Sequence, residues 1–309
     1  MNKVLVTGAN GFVGRFMCDC LLRSNAPFRQ AVRHEVQPRA ENVVGVGEID
    51  GATDWSRALA GISHVVHLAA RVHVLRDVSS DPLGDYRRTN VAGTINLARQ
   101  AVKAGVRRFI FVSTVKVNGE KTVNSPFTAG DEPAPADPYS VSKFEAEQAL
   151  WQIAGDTGLE VVVIRPPLIY GKGVGGNFRR LLELAQSGLP LPLAAVHNVR
   201  SLLYVENLTD LIMTGLQHVQ APGHTFLASD GEDISTPRLL RLLAEAAGRS
   251  ARLFSVPLPL LLLVATTLGR RQELRRLTDD LRIDCEKTRT ILNWQPPFSL
   301  RDGIRRTVS

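Results

Sequence analysis

The chain contains 309 residues, of which 44% are hydrophobic and 22% charged, a composition typical of a globular protein with one large core or two smaller ones. The net charge of +7 favours an anionic partner, yet no basic stripe alternates with aromatic residues, so we expect a nucleotide-based ligand and no nucleic acid. Three cysteines are too few for a disulfide framework, and Cys18 and Cys20 are spaced wrongly for a metal pair. The N-terminal residues enter a strand pattern without a signal peptide, so a cytoplasmic protein is expected.

Short runs of β-branched residues alternate with helical patterns along the first half of the chain. The runs expected to form strands are KVLVTG, FRQAVR, NVVGVGE, SHVVHLAA, RRFIFVS and EVVVIRP. The helical patterns between them include FVGRFMCDCLLRS, DWSRALAG and NVAGTINLARQAVKAG. Because strands that alternate with helices build βαβ units, we predict an α/β fold: a Rossmann-type doubly wound parallel sheet with helices on both faces.

A glycine-rich turn, GANGFVG, follows the first strand and opens a helix near Phe12. A helix N-terminus carries unpaired N–H groups and a positive dipole end, and it therefore receives a phosphate well. Glycine in this turn permits a tight bend, lets the backbone approach a pyrophosphate and lets the helix pack against the strand. We predict that the turn binds a dinucleotide through Gly8, Asn10, Gly11, Phe12, Val13 and Gly14.

The second strand pattern ends at Arg33, 19 residues after Gly14, and no aspartate stands there. In such βαβ units an acidic residue about 20 positions on accepts the ribose 2′-hydroxyl, whereas an arginine nearby accommodates a 2′-phosphate. Arg33, with His34 beside it, therefore predicts a preference for NADP(H), with NAD(H) possible. The alternative is that Arg33 is an ordinary solvated strand end and that Glu35 serves NAD.

Thr114 ends the strand pattern RRFIFVST. Ligands of open parallel sheets bind beyond the carboxyl ends of the strands. A hydroxyl there can donate a hydrogen bond to a reacting oxygen and hold it in line with Tyr139. We therefore predict a catalytic role for Thr114.

Tyr139 and Lys143 lie four residues apart where a helical pattern begins. The apolar stripe of that helix consists of Ala146, Ala149, Leu150 and Ile153. This spacing puts both residues close to the inward face. A cation beside a phenol favours the phenolate, so we expect Lys143 to lower the pKa of Tyr139 and make it a proton-exchange group for a sugar hydroxyl or ketone. On spacing alone, a tyrosine at a helix start with a lysine reaching solvent is the better interpretation, but the glycine turn and the upstream VST favour catalysis.

The regular alternation fades after Pro166, where glycine- and proline-rich connections such as YGKGVGGNF and SGLPLPLAAVHN begin. We predict a dinucleotide-binding domain over residues 1–166 and a smaller α/β substrate-binding lobe over residues 167–309. Residues 200–226, which include the strand-like RSLLYVENL, are expected to return to the first domain.

One segment of the second lobe, VPLPLLLLVATTLG, is strongly apolar. It is shorter than the roughly 20 residues of a membrane span, and two prolines open it, so we expect a buried helix and no stable membrane insertion. The basic stretch GRRQELRRL that follows is expected to be a solvated helix face.

Taken together, the motifs resemble the extended short-chain dehydrogenase/reductase family, which includes nucleotide-sugar epimerases, dehydratases and reductases. The glycine spacing is GxxGxxG, and six further motifs follow in the family's order along the whole chain. They are HLAAR, TNVAGT, FVSTVKVNG, YSVSK, RPPLIYG and RSLLYVENL. Lys116 and Asn118 depart from the family's pattern, and these changes bear on the substrate and not on the reaction type.

The resemblance implies roles for single residues. The implied catalytic residues are Thr114, Tyr139 and Lys143. Beyond the glycine turn and Arg33, the implied cofactor contacts are Glu48, Ile49, Leu68, Ala69, Ala70, Asn90, Tyr139, Lys143 and Pro166. The implied substrate contacts are Arg71, Thr114, Lys116, Tyr139, Asn177 and Arg200. For Asn90, a helix N-cap is the alternative interpretation. No metal site is expected.

The resemblance also implies a function. We expect an NAD(P)-dependent oxidoreductase that reduces the C4 ketone of a UDP-4-keto-6-deoxy-N-acetylhexosamine, to UDP-N-acetylquinovosamine or its C4 epimer, in bacterial O-antigen or other surface-polysaccharide synthesis. The alternative is a 4-epimerase of UDP-glucose or UDP-N-acetylglucosamine that retains NAD. A more distant alternative is a dinucleotide-binding protein without catalysis. The family's habit is a homodimer through the helix that carries Tyr139.

Overall fold

The computed structural model describes residues 3–34, 42–72 and 80–309. Within these residues nine strands form, all of them in parallel pairs. They are β1 (Val4–Thr7), β2 (Phe28–Val32), β3 (Val43–Gly45), β4 (His64–His67), β5 (Arg108–Val112), β6 (Glu160–Arg165), β7 (Leu168–Tyr170), β8 (Leu202–Tyr204) and β9 (His224–Leu227). Seven of them make the main sheet, in the order β3-β2-β1-β4-β5-β6-β9, and β7 and β8 make a small second sheet.

Twelve α-helices form within the described residues and connect or cover the strands. They are α1 (Phe12–Arg23), α2 (Ser56–Leu59), α3 (Pro82–Tyr86), α4 (Gly93–Lys103), α5 (Pro138–Thr157), α6 (Gly176–Gln186), α7 (Val205–Gln217), α8 (Thr236–Ala246), α9 (Leu258–Thr267), α10 (Arg271–Thr278), α11 (Glu286–Leu292) and α12 (Leu300–Val308). A π-helical segment, Arg87–Ala92, joins α3 to α4 without a break, and a 3₁₀ turn, Val115–Val117, follows β5.

Both faces of the main sheet are covered, as alternate residues of its central strands show. On β4, Val65 lies in the apolar cluster beneath α2, α4 and α5, whereas Val66 lies in the cluster beneath α1 and α7. On β5, Phe109 and Ile110 divide in the same way. Successive strand residues point to opposite faces, so continuous apolar strands require a helical layer on each side. The predicted Rossmann-type doubly wound α/β fold is confirmed.

The strand order places a crevice beside β1. From β1 the chain adds β2 and β3 on one side, and β4, β5 and β6 on the other. In open parallel sheets such a switch leaves a crevice at the carboxyl ends of the two central strands, and ligands bind there. The segments that leave these ends are the glycine turn after β1 and residues 68–71 after β4.

A third apolar cluster lies outside the main sheet, among the small sheet, α6, α8 and α12. At its centre the rings of Tyr170, Phe178 and Tyr204 pack together, and the Tyr170 hydroxyl donates to the Asp230 carboxylate at 2.6 Å. Within residues 200–226, β8 belongs to the small sheet, whereas α7 packs on the main sheet and β9 extends it beside β6. The boundary at residue 166 stays a prediction.

The prediction that the apolar segment of the second lobe is a buried helix is wrong. The helix forms as α9, but Ala265 is its one buried residue, and Leu260, Leu263 and Val264 are exposed. The physical reason is that α9 finds a partner for one face only, and the neighbouring α10 has no buried residue. In the part of the chain that the structure describes, no helix has both the length and the apolar character needed to cross a membrane.

A buried ion pair anchors α5 to the sheet. At the end of β6, Arg165 donates from Nη2 to Glu147 Oε2 at 2.5 Å and from Nε to Oε1 at 3.1 Å. A third donor, Nη1, reaches Asn118 Oδ1 at 3.0 Å. The Arg165 and Glu147 side chains are only 6% and 1% exposed. Removing either partner would leave a charge in the core without compensation.

We expect Glu147→Ala to lower the free energy of unfolding by about 3–5 kcal/mol, because Arg165 would remain buried without its counter-ion. The matched control is Glu145→Ala, at another position of α5. It removes a partly exposed ion pair with Arg87 and should lower the free energy of unfolding by about 0–1 kcal/mol. Urea unfolding of the wild type and both variants measures the difference. Equal losses for the two variants would show that the buried pair does not anchor α5.

Candidate active site

The turn after β1 is packed as closely as backbone atoms allow. Gly8 has a φ of +65°, and a Cβ on it would lie 2.7 Å from the amide nitrogen of Ala69, beyond β4. A Cβ on Gly14 would lie 2.7 Å from the Cα of Ala9. Glycine alone fits both positions without a shift of the backbone. The turn, the start of α1 and the end of β4 therefore form one close-packed rim.

The N-terminus of α1 is open at this rim. Gly11 is the N-cap residue, no side chain caps the helix, and its first turn holds no acidic residue. Asn10 and Gly11 are exposed, whereas Phe12 and Val13 pack partly against the third apolar cluster, around Tyr170 and Tyr204. Unpaired N–H groups at a helix start attract an anion. The turn has the geometry to hold a pyrophosphate, and the contacts of its single residues stay a prediction.

The segment after β4 is held to β1 by one hydroxyl. Thr7 Oγ1 accepts hydrogen bonds from the amides of Leu68 and Ala69, each at 3.2 Å. The same hydroxyl lies 2.7 Å from His67 Nδ1, to which it donates. The backbone that is predicted to pass beside the cofactor, Leu68 to Ala70, is thereby fixed in position.

The hydrogen bonds continue from His67 toward the helical layer. His67 Nε2 lies 3.0 Å from Thr94 Oγ1, and that hydroxyl donates to the carbonyl oxygen of Asn90 at 2.7 Å. The Thr94 hydroxyl has one proton, which it gives to Asn90, so the proton between His67 and Thr94 belongs to Nε2 of the imidazole. Burial, with the charge of Lys143 adding, lowers the pKa of His67 to about 3, so the ring is neutral.

Asn90 joins three elements at the crevice. Its Oδ1 accepts from the amide of Arg71 at 2.8 Å, and its Nδ2 donates to the Arg71 carbonyl at 3.1 Å and to Ser142 Oγ at 3.0 Å. Ser142 Oγ donates in turn to the carbonyl of Tyr139 at 2.7 Å. The alternative that Asn90 is a helix N-cap is wrong, because it stands inside the π-helical segment and Asp81 caps α3. Such π-helical turns frequently occur at functional sites.

A capping box sets the start of α5 just before Tyr139. The Asp137 carboxylate accepts from the amide of Ser140 at 2.7 Å, the Ser140 hydroxyl accepts from the amide of Asp137 at 3.1 Å, and Pro138 opens the helix. Tyr139 therefore stands in the first turn. Its ring lies edge-to-face with that of Tyr86, with the centroids 6.1 Å apart. Because α5 follows β5, this turn lies at the carboxyl edge of the sheet.

Lys143 is buried one turn further along α5. It is only 2% exposed, and its Nζ lies 3.8 Å from the centroid of the Phe111 ring on β5, a cation–π contact. The inward position expected from the spacing is observed, and the alternative of a lysine that reaches solvent is wrong.

The pKa of Tyr139 shifts in the direction opposite to the predicted one. Burial raises it above its usual value, and the carboxylate of Asp137 and the neighbouring Tyr86 add to the rise. Burial also lowers the pKa of Lys143 to about 7, although Glu147 acts against this shift. The expected net lowering of the Tyr139 pKa is wrong for the protein's own groups, because desolvation disfavours the charged forms of both Tyr139 and Lys143.

Thr114 lies just beyond β5 and caps the 3₁₀ turn, where its Oγ1 accepts from the amide of Lys116 at 3.3 Å. The Lys116 Nζ lies 2.6 Å from Asp137 Oδ2 and 3.0 Å from Glu120 Oε1. The turn that carries Thr114 is thus tied to the cap of the helix that carries Tyr139. The amide of Val115 donates to the carbonyl of Pro166 at 2.9 Å, which joins the ends of β5 and β6.

Two residues predicted to contact the cofactor, Arg33 and Glu48, form one ion pair. Arg33 Nε lies 3.1 Å from Glu48 Oε1, and the side chains are 64% and 72% exposed. Ile49 is partly buried and packs against Gly93. A Cβ on Gly93 would lie 2.6 Å from Ile49 Cγ2. Glu35 lies outside the described residues.

The predicted substrate contacts lie in different parts of the structure. The Arg71 guanidinium lies 5.4 Å from the ring centroid of Tyr86 and 3.5 Å from Asp85, next to the Tyr139 turn. Arg200 donates from Nη1 to two carbonyls at the end of α10, and burial lowers its pKa. Asn177 is exposed in the first turn of α6. The roles of these residues toward a substrate stay predictions.

Three groups at the site were missed in the sequence. Asp137 could have been found, since Asp-Pro before a helical pattern is an N-terminal signature. Tyr86 and His67 offered no comparable signal as site residues, because only the packing of α3 and β4 brings them beside Tyr139 and Lys143.

Known proteins resemble this chain over nearly its whole length. Residues 4–228 match the NAD dependent epimerase/dehydratase family. A UDP-glucose 4-epimerase of Vibrio cholerae is 43% identical over 99% of this chain and 94% of its own length. An N-acetyl-alpha-D-glucosaminyl-diphospho-ditrans,octacis-undecaprenol 4-epimerase of Escherichia coli O157:H7 is 27% identical, with the same coverage of 99% and 94%. The solved UDP-glucuronic acid 4-epimerase from Bacillus cereus, in complex with NAD, matches with a TM-score of 0.77 at 22% identity, over 99% and 97% of the two chains.

The buried Lys143 predicts a pH-dependent stability. Its folded pKa of about 7 lies below the unfolded value near 10.4, so between these values the unfolded chain holds a proton that the folded chain lacks. We expect the unfolding free energy of the wild type, relative to Lys143→Met, to rise from pH 7 to pH 10 by at most about 1.4 kcal/mol per pH unit.

Urea unfolding at several pH values measures this difference. Lys103→Met, at an exposed position of α4, is the matched control and should show no such rise. A difference between the wild type and Lys143→Met that stays constant over the same pH range would contradict the prediction.

Proposed function

Because this chain belongs to the NAD-dependent epimerase/dehydratase family, we propose that it is a UDP-hexose 4-epimerase, which oxidises and re-reduces C4 of the sugar with one retained NAD. The observation that carries the proposal is the 43% identity to a UDP-glucose 4-epimerase over 99% of this chain. The resemblance drawn from the sequence motifs is confirmed. The chain is an enzyme of the NAD-dependent short-chain dehydrogenase/reductase type, and the particular sugar is part of our proposal.

The rim residues fit a dinucleotide. A side chain at Gly8 or Gly14 would push apart the backbone of the rim, and the uncapped N-terminus of α1 offers N–H groups to a pyrophosphate. We assign the backbone from Leu68 to Ala70 to the nicotinamide half, and Ile49 with the Arg33–Glu48 pair to the adenosine half. When bound, NAD would supply reversible hydride transfer at the sugar carbon and, in its oxidised form, a positive charge in the site.

The proposed cofactor is NAD(H), and the predicted preference for NADP(H) gains no support. The Glu48 carboxylate lies 3.1 Å from the Arg33 guanidinium, so it neutralises the charge that was expected to hold a 2′-phosphate. A carboxylate at this position would also repel a phosphate and accept a hydrogen bond from a ribose hydroxyl.

In this proposal Tyr139 exchanges the proton of the sugar 4-hydroxyl. The phenol needs a cationic neighbour to ionise, since burial raises its pKa. Lys143 supplies part of that charge near neutral pH, because its own pKa is about 7. The Thr114 hydroxyl, at the end of β5, donates a hydrogen bond to the same oxygen and holds it in line. Asn90 and Ser142 do not react; they position the backbone of Tyr139.

Net reduction of the C4 ketone of a UDP-4-keto-6-deoxy-N-acetylhexosamine is the second candidate. It is favoured by one observation, that arginine and no acidic residue follows β2 at position 33. Thr114, Tyr139 and Lys143 serve both reactions equally, so the difference must lie in the retention of the cofactor and in the contacts with the sugar.

We propose further that the enzyme acts as a homodimer through α4 and α5. A shallow groove along these two helices is lined by the apolar Ile95, Val102, Ala149 and Ile153. The free cysteines, two of them buried, fit the reducing cytoplasm that we propose as its compartment.

We expect Tyr139→Phe to lower turnover by about 10²–10⁴-fold and to leave the dissociation constant of NAD nearly unchanged, because the phenol transfers a proton but adds little binding surface. Steady-state rates and calorimetry measure the two quantities. The matched control is Tyr86→Phe, which removes the hydroxyl of the adjacent tyrosine and should keep most of the turnover. If Tyr139→Phe retains more than about a tenth of the wild-type rate, Tyr139 is not the proton-exchange group.

The two candidate reactions differ in what must be added. Incubated with UDP-glucose or UDP-N-acetylglucosamine and no added cofactor, the purified enzyme should form the galacto epimer at a steady rate, which NMR detects. The epimerase proposal fails if no epimer forms and the enzyme instead consumes NADH or NADPH in the presence of UDP-4-keto-6-deoxy-N-acetylglucosamine. That result would support the reductase.

A further inference from the structure

The α9 helix is apolar around its whole circumference. Its ten residues, LPLLLLVATT, include no charged side chain. Helices of this composition are ordinarily buried in a protein core or in a membrane. Here the face with Leu258, Leu261, Leu262 and Ala265 is buried or half-buried, and the opposite face has no covering element within the described residues.

Exposed apolar side chains on the uncovered side of α9 and just before the helix make up a surface that we call the apolar face. It consists of Phe254 (47% exposed), Leu260 (51%), Leu263 (62%), Val264 (49%) and Leu268 (67%). Residues 260, 263, 264 and 268 repeat at intervals of three and four, so they lie on one side of the helix. In the part of the chain that the structure describes, this short segment holds five of the ten exposed large hydrophobic side chains. Scattered exposed leucines need no explanation, but a contiguous patch marks an interaction site.

The segments on either side of α9 are rich in arginine. Residues 249–278 contain six arginines and one glutamate, a net charge of +5 in a chain whose total is +7. Arg252, Arg270, Arg271 and Arg275 are exposed, and α9 packs directly against the basic α10. Apolar side chains bordered by arginines match the interface of an anionic bilayer, where leucines enter the acyl boundary and arginines meet the headgroups.

We propose that the apolar face and its arginines bind the surface of an anionic lipid bilayer, with α9 lying in the plane of the interface. Ten residues are too few to span the hydrocarbon core, so the contact is peripheral. A second copy of the chain is the less suitable occupant, because a symmetric contact would bring two segments of charge +5 together. The face shares no residue with the site of Tyr139 and Lys143, so the inference does not depend on the reaction proposed above.

The test is flotation of the purified full chain with vesicles of phosphatidylglycerol or of phosphatidylcholine. We expect binding to phosphatidylglycerol vesicles at low salt, and at least about tenfold weaker binding to phosphatidylcholine vesicles or at high salt. The triple variant Leu260→Ser, Leu263→Ser, Leu268→Ser should lose at least about tenfold in partition and keep the wild-type turnover.

The matched control is the triple variant Leu22→Ser, Val123→Ser, Val219→Ser, which removes apolar side chains elsewhere that are at least as exposed on average and should bind vesicles like the wild type. Urea unfolding of all three proteins shows whether the exposed substitutions leave the fold intact. Equal partition of the two triple variants, or of the wild type into both kinds of vesicle, overturns the proposal. A second outcome would assign the face to a second copy of the chain instead. In it, the wild type does not bind vesicles, and sedimentation shows a dimer for the wild type but a monomer for the α9 variant.

Discussion

The ion pair between Glu147 and Arg165 determines where α5 lies against the main sheet. Both side chains are buried, and the guanidinium has three of its donors occupied by α5 and by the residue that follows the 3₁₀ turn. A pair of this kind fixes α5 relative to β6, since any shift would leave an unpaired charge in the core. The positions of Tyr139 and Lys143, two and one turns before Glu147 on the same helix, follow from this anchor.

A second set of contacts connects the rim formed by the glycine turn and the end of β4 to the same helix. Hydrogen bonds run from Thr7 on β1 through His67, Thr94, Asn90 and Ser142 to the backbone of Tyr139. Every member is satisfied, and buried networks that are fully satisfied rigidify the groups they join. The neutral state of His67 matters here, because a protonated imidazole would lose its acceptor and break the link to Thr7.

The acid–base properties of the site depend on more than its two conspicuous residues. Burial pushes the pKa of Tyr139 up and that of Lys143 down, so the protein's own groups favour a neutral pair. Such a pair responds strongly to a charge that enters the crevice, since a low-dielectric site amplifies each added charge. In the proposed reaction, proton exchange by Tyr139 would then be coupled to the charge of a bound nicotinamide.

The sequence by itself determined the features that depend on local pattern. The alternation of apolar strands and helices predicts the doubly wound sheet, the glycine spacing predicts the tight rim at Gly8 and Gly14, and the spacing of Tyr139 and Lys143 predicts their shared inward face. Each of these follows from the geometry of one or two consecutive elements.

Only the tertiary structure decided what depends on partners distant in sequence. It paired Arg33 with Glu48, it placed Asn90 inside a helix as a bridge to Ser142, and it reversed the expected pKa shift of Tyr139. The clearest case is α9, whose hydrophobicity predicts burial although its outer leucines are exposed. Hydrophobicity is a property of the side chain, but burial requires a second surface opposite it, and only the folded chain determines whether that surface is present.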